Sequence, residues 1–332
     1  MNYLEPAFVD LEPDTNQPHR PPRQAEFVWV DQLLLPYQQA NTHLLSPAIH
    51  YGPGIVSSMR SYGTGAGPAI FGLNQHVEHF LADVRALGMG EPHFDRAFLR
   101  DVVWRVVLAN DFYECLIRCG LYLESPLGLR MRAFRPILVV AAWELPSDLQ
   151  RHRTAAGMRL SVSPFRQPRS ATASGLAALS DRAADRRMAQ AVARRSGFDE
   201  ALLLDEDDLL VGGTDPSLLI VRQGVIQLPH LAEERRAVPE QAIISLARSA
   251  GYQVQEQRLP LEAIFEADEV LMCGTQSEVC PVLKVDGQPV GPDGLGPITA
   301  HLQRLYRQTA HGARPESGHW LDYLDRFLPP LY

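Results

Sequence analysis

One lysine, Lys284, serves the whole 332-residue chain, beside thirty arginines. Basic charge is kept, while the primary amine, the basic side chain that forms imines, is almost absent. A high-GC codon bias accounts for most of that skew. The four cysteines, Cys115, Cys119, Cys273 and Cys280, are too few for a disulfide scaffold. Cys115 and Cys119 have helical i,i+4 spacing, but no CxxC or paired-histidine pattern accompanies them, so free thiols are expected and no metal. No apolar run reaches the length needed to span a bilayer. The N-terminus shows no basic segment followed by an apolar core, so the expected address is the cytoplasm. A net charge of -8 with interspersed basic residues leaves no footprint for nucleic acid or an anionic membrane.

What is present reads as a globular protein. Hydrophobic residues make up 45% and charged residues 21%, and the length exceeds what one core usually serves, so two domains are expected. Residues 1–24, rich in Pro, Gln, Asp and Arg, read as a flexible extension. Residues 25–148 read as a small α/β domain and 149–332 as a larger one, with the Pro146–Gly157 stretch as linker.

Within the first part, EFVWVDQLLLP predicts a hairpin. Val77, Phe80, Leu81 and Val84 mark a helix over Asn74–Leu87, and Asp95 is placed to cap another running to Asn110. Two strands follow, ECLIRCGLYLE and PILVVAAWEL. In the second part MRLSVS, ALLLD and DEVLMCG read as strands, and Asp181–Arg195 as an Ala/Arg-rich helix. Gln223–Gly224 and Asp286–Gly287 each predict a tight hairpin turn. Frequent hairpins among alternating strands and helices give a mixed α/β (α+β) class rather than a doubly wound parallel sheet.

Several segments, in order, carry a resemblance. They are IHYGPGIVSSMRSY with GPAIFGLNQHVEHF, LIR at Leu116–Arg118, SGFDEALLLD, LLIVRQGVIQLP, AIISLARSAGY and ADEVLMCGTQSEVCPVLKVDGQPVG. Together they resemble the class IV aminotransferases, especially branched-chain amino acid aminotransferases. The resemblance implies a small α/β domain plus a larger pseudo-barrel domain, a homodimer, and pyridoxal phosphate (PLP) held between the domains. It also implies a lysine imine, a carboxylate on the pyridine nitrogen, and Arg, Thr and backbone donors on the phosphate.

Carried over residue by residue, much of that set changes identity here. Reading back from GFDEALLLD puts Ala178 at the imine lysine and Asp181, Arg182 and Ala183 at the following Gly-Asn-Tyr. Gly212 falls on the pyridine-nitrogen glutamate and His79 on a phosphate arginine. Ala237, Val238 and Pro239 replace the phosphate loop, while Thr275 persists. Lys284, before an Asp-Gly turn, reads as exposed. Tyr51, Arg60 and Arg118 match positions bordering the substrate, although Arg60 and Arg118 equally suit structural pairing with acids.

From these residues the expectation is a degenerate branched-chain-aminotransferase-like protein, repurposed as a cofactor-independent enzyme on a carboxylate-bearing amino- or keto-acid-derived substrate. PLP is expected neither covalently nor in tight noncovalent binding. Acid–base chemistry (isomerisation, elimination, condensation or hydrolysis) would fall to His79, Asp181 and Asp215. Tyr51, Arg60, Arg118, Arg182, Thr214, Thr275 and Gln276 would bind substrate. The alternative is a non-catalytic partner subunit or ligand-binding protein on the same scaffold.

Overall fold

A computed structural model describes residues 23–52, 54–86, 94–125, 135–145, 156–167, 180–230 and 236–324. Residues 1–22 of the N-terminal extension, the linker stretch 146–155 and Ala178 lie outside them. The first sheet collects β1 (Phe27–Val30), β2 (Leu33–Pro36), β3 (Gly54–Thr64), β4 (Gly67–Phe71), β5 (Cys115–Glu124) and β6 (Arg135–Glu144). The second holds β7 (Met158–Gln167), β8 (Glu200–Asp205), β9 (Leu210–Gly212), β10 (Ser217–Arg222), β11 (Val225–Pro229), β12 (Val254–Gln257), β13 (Glu269–Gly274), β14 (Glu278–Val285) and β15 (Gln288–Pro289). The last strand, β16 (Leu321–Tyr323), returns to the first sheet, so its order is β16-β4-β3-β5-β6-β1-β2.

All pairings in the first sheet are antiparallel. The second is mixed, with parallel pairs β11–β12, β14–β7 and β7–β8. Turn chemistry sets the hairpins. Gln223 and Gly224 have φ of 52° and 76°, and Asp286 and Gly287 have 46° and 79°, the left-handed pairs that match strand twist.

Helix Leu73–Ala86 buries Leu73, Val77, Phe80, Leu81 and Val84 against the first sheet together with helix Arg96–Ala109. Asp95 caps the second of these by accepting from the Phe98 N–H at 2.8 Å. Cys115 and Cys119 prove to be strand residues; both are buried, and their even spacing puts them on one face of β5. A further core joins the sheets, with Tyr62, Ala69 and Phe71 packing beside Leu219, Ile243 and Tyr306. β16 is held by Asp322, which accepts from Arg100 Nη2 at 2.5 Å and Trp104 Nε1 at 3.0 Å.

Candidate active site

A cavity of about 880 Å³ opens where the two sheets meet. β3 contributes Val56, Ser57 and Ser58, and β5 contributes Arg118 and Tyr122. Helix Leu73–Ala86 turns His76, His79, Phe80 and Asp83 toward it, the i, i+3, i+4, i+7 face of one helix. From the second sheet come helix Ser180–Arg195, the loop after β9, the start of helix Val238–Ser249 and the β13–β14 turn.

The β13–β14 turn is tightly specified. Gly274 pairs with Glu278, leaving Thr275, Gln276 and Ser277 as the connection. A Cβ on Gly274 would stand 3.0 Å from Ser277 Oγ and 3.2 Å from Pro216 Cα, so glycine lets the two loops touch. Thr275 Oγ1 donates to the Ser58 carbonyl at 3.4 Å, and Ser277 Oγ is buried with no hydrogen-bond partner among the described residues. Glu278 has φ of 51°, a left-handed conformation that L side chains rarely adopt.

The loop after β9 is fixed from below. Gly213 N–H donates to the Pro216 carbonyl at 2.8 Å. Thr214 donates to Glu200 Oε1 through N–H at 3.2 Å and through Oγ1 at 2.5 Å. These bonds present Asp215, which is open to the cavity yet surrounded by protein. That enclosure pushes its carboxyl above the ordinary range, while Arg186 and then Arg118 pull the other way.

The two histidines differ. His76 is buried with Nδ1 3.3 Å from Ser57 Oγ; burial, then the charge of His79, holds it down to about 3, so it is neutral at pH 7. His79 Nε2 lies 3.4 Å from the Gln241 amide nitrogen, which also donates to the Arg236 carbonyl at 2.8 Å. An amide held that way offers a hydrogen, so His79 Nε2 is the acceptor. Glu78, between them, pairs outward with Arg96 at 2.7 Å. Among the described residues no group of three His, Cys, Asp or Glu is placed to hold a metal.

The cavity thus gathers His79, Asp215, Arg118, Thr214, Thr275 and Gln276 from the residues singled out in the sequence. Arg60 is elsewhere: it pairs with Glu278 and lies over the Tyr62 ring, 4.3 Å from its centroid. The side chains of Tyr51, Asp181 and Arg182 lie outside the described residues. Sequence reasoning passed over Arg186, Arg187, Gln190 and Arg194, all on the cavity wall. The i,i+4 spacing of 186, 190 and 194 was the available signal. Lys284 is exposed on β14 and does not line the cavity.

Comparison with known proteins now decides the family. The family model for amino-transferase class IV matches residues 54–285. The chain belongs to the class IV aminotransferases. Branched-chain amino acid aminotransferase from Pseudomonas aeruginosa is 26% identical over 294 residues, 88% of this chain and 95% of that protein. Its Escherichia coli counterpart is 26% identical over 310 residues, 92% and 99% of the two chains. Among solved structures, a T.th. branched-chain amino acid aminotransferase with pyridoxamine 5'-phosphate superposes with a TM-score of 0.84 at 31% identity, covering 90% of this chain and 99% of its own. The E. coli structure gives 0.84 at 25% identity, again with 90% and 99% coverage. The mixed two-sheet fold is the fold of these enzymes.

These likenesses correct two expectations. A degenerate, cofactor-independent function is overturned, because relatives along most of the chain are branched-chain aminotransferases. The expectation of no cofactor falls as well, since a solved relative spanning 90% of this chain carries pyridoxamine 5'-phosphate. The physical reason lies in the donors. A phosphate is recognised by N–H and O–H groups and positive charge, which any wall of a cavity can supply. Position-by-position matching registers the change of arginine to His79 but not the guanidiniums brought in by Arg186 and Arg194.

Proposed function

We propose that this chain binds a phosphopyridoxyl cofactor between its two sheets without a covalent link to a lysine of its own, and exchanges an amino group between amino and keto acids. The observation that carries the reading is the donor set of the cavity. Arginine side chains, Thr275, and the unpartnered, buried Ser277 hydroxyl suit a phosphate monoester, and an acid, Asp215, faces them. The absence of a covalent link rests on Lys284, the one lysine, being exposed and away from the cavity.

When bound, the cofactor supplies an electron sink and the carbonyl or amine that trades with substrate. The chain's own residues bind and orient. Ser277 sits on a turn pinned to β3 through the Thr275 hydroxyl and offers its own hydroxyl. Arg118, whose Nε is buried with no hydrogen-bond partner among the described residues, offers a planar cation to a substrate carboxylate. Asp215 and His79 are the groups placed to hold or move a proton. Val56, Phe80 and Val238 supply apolar wall that limits water.

The same reading proposes a homodimer, supported by Leu44, Leu45 and Ile49 at 78%, 49% and 51% exposure on one short stretch. It proposes a cytoplasmic site of action, supported by four buried free thiols. No described helix is long and apolar enough to cross a membrane.

The test is direct. Purified protein is loaded with pyridoxal or pyridoxamine phosphate, passed through gel filtration, treated with borohydride and denatured. The cofactor is expected to co-elute with the protein, leave on denaturation, and support amino-group exchange from branched-chain amino acids. Failure to co-elute, or trapping on Lys284, would overturn the reading.

A further inference from the structure

Gln241 stands behind His79 and does not itself line the cavity. Its amide nitrogen donates to the Arg236 carbonyl at 2.8 Å and lies 3.4 Å from His79 Nε2. That carbonyl is held in place by the side chain of its own residue. Arg236 pairs with Glu240 on the first turn of helix Val238–Ser249, reaches Glu256 of β12 at 3.0 Å, and donates to the Pro229 carbonyl at 3.2 Å. Glu240 is buried and accepts in turn from Ser217 Oγ at 2.8 Å. Arg236 and Glu240 together tie the start of the helix to β10, β11 and β12, and with it the cavity wall at Ala237, Val238 and Pro239.

A carbonyl only accepts, so the nitrogen and not the oxygen of the Gln241 amide faces it. The two hydrogens on that nitrogen serve two acceptors, the Arg236 carbonyl and His79 Nε2. A ring nitrogen that accepts carries no proton, and the bond made at one imidazole nitrogen sets where the proton of the other sits. His79 is then neutral with its hydrogen on Nδ1, and it has no lone pair left for a ligand. A fixed neutral donor stabilises negative charge developing on a ligand oxygen without giving up its proton. Taking a proton away falls to Asp215 on the loop after β9, since an ionised carboxylate only accepts. We propose that Gln241 is a positioning residue that locks His79 as the Nδ1–H tautomer, making His79 a neutral hydrogen-bond donor and Asp215 the base. The proposal rests on the proposed function only for the ligand that these two residues meet.

Proton–nitrogen correlation NMR of the full chain, with isotope-labelled histidine at neutral pH and no cofactor, tests it. The His79 signals are those that vanish in His79→Gln. In the parent protein Nδ1 is expected to carry the proton and Nε2 to be bare. Gln241→Glu keeps the shape of the side chain but sets an acceptor opposite Nε2, so it should put a proton on Nε2. Gln241→Met keeps the length and removes the donor, so it should leave the proton shared between the two nitrogens. A contact that only packs would move neither signal. If Gln241→Glu does not fold, Gln241→Met carries the test. A proton on Nε2 in the parent, or an unchanged Nδ1–H tautomer in either folded variant, would overturn the proposal. Pyridoxamine phosphate titrated into the same samples separates the two readings. The Nδ1–H tautomer without cofactor binding sinks the cofactor reading alone; cofactor binding with the parent's proton on Nε2 sinks the positioning role alone.

Discussion

Arg60 Nη1 donates to Glu278 Oε1 at 2.8 Å, joining β3 of one sheet to β14 of the other beneath the cavity. Both side chains are largely removed from water, at 5% and 12% exposure. Glu278 closes the turn that carries Thr275, Gln276 and Ser277, so the pair fixes one cavity wall without lining the cavity itself.

Breaking this pair leaves a buried charge without its counterion, which typically costs about 3–5 kcal/mol. Arg60→Ala is therefore expected to lower the urea midpoint strongly. Glu278 adds a backbone effect, because its φ of 51° is one that glycine adopts freely. Glu278→Gly should be more stable than Glu278→Ala by about 1 kcal/mol, although both lose the carboxylate. Equal stabilities of the two would mean the turn relaxes out of the left-handed conformation once the ion pair is gone.

Gly274 makes a different demand, set by space. An alanine methyl would sit 3.2 Å from Pro216 Cα and 3.0 Å from Ser277 Oγ, tighter than ordinary van der Waals contact. Gly274→Ala should separate the Ser277 turn from the loop bearing Asp215, at a cost of about 1–3 kcal/mol. Thermal melting reads the stability. Weaker retention of pyridoxamine phosphate on gel filtration reads the displaced wall.

How much of this was legible in the sequence depends on how local each cause is. The Gln223–Gly224 and Asp286–Gly287 hairpins were readable because the turn residues themselves carry the required φ values. Helix Leu73–Ala86 was readable from its apolar stripe, whereas His79 was reached only through the family resemblance, because a stripe does not say which flanking side chains border a cavity. Arg60 could be placed near the site but not assigned a partner, because Glu278 lies 218 residues on. β16 was missed for the same reason: three residues cannot signal a strand alone, and it takes Phe71, Arg100 and Trp104 to hold it. The arginines of helix Ser180–Arg195 looked like a solvated face, and only the fold shows that this face borders a cavity.

The hold on β16 is itself testable. Asp322 is 8% exposed and accepts from both Arg100 and Trp104. Asp322→Ala removes a charge-assisted bond and leaves a buried indole N–H unsatisfied, a loss of about 2–4 kcal/mol. Amide exchange should show β4 and β16 losing protection well before β5. Uniform loss across the first sheet would mean the strand is integral to one cooperative unit.

His76 sets an acid limb on stability. In the folded chain it is held down to about 3 by burial and then by His79, whereas an unfolded histidine titrates near its ordinary value of about 6.5. The unfolded chain therefore binds a proton below about pH 6.5 that the folded chain refuses until about pH 3. Stability contributed by neutral His76 is complete above that range and declines as pH falls through it. Between pH 7 and pH 5 the loss amounts to about 2 kcal/mol from this residue. His76→Gln keeps a polar group beside Ser57 Oγ but cannot take up the proton. Urea unfolding of parent and variant at both pH values isolates the histidine, since every other titrating group is common to the two. The variant should lose about 2 kcal/mol less than the parent on acidification. Identical losses would show that His76 charges readily in the folded state, with Ser57 Oγ or water in the cavity accepting a hydrogen bond from the imidazolium.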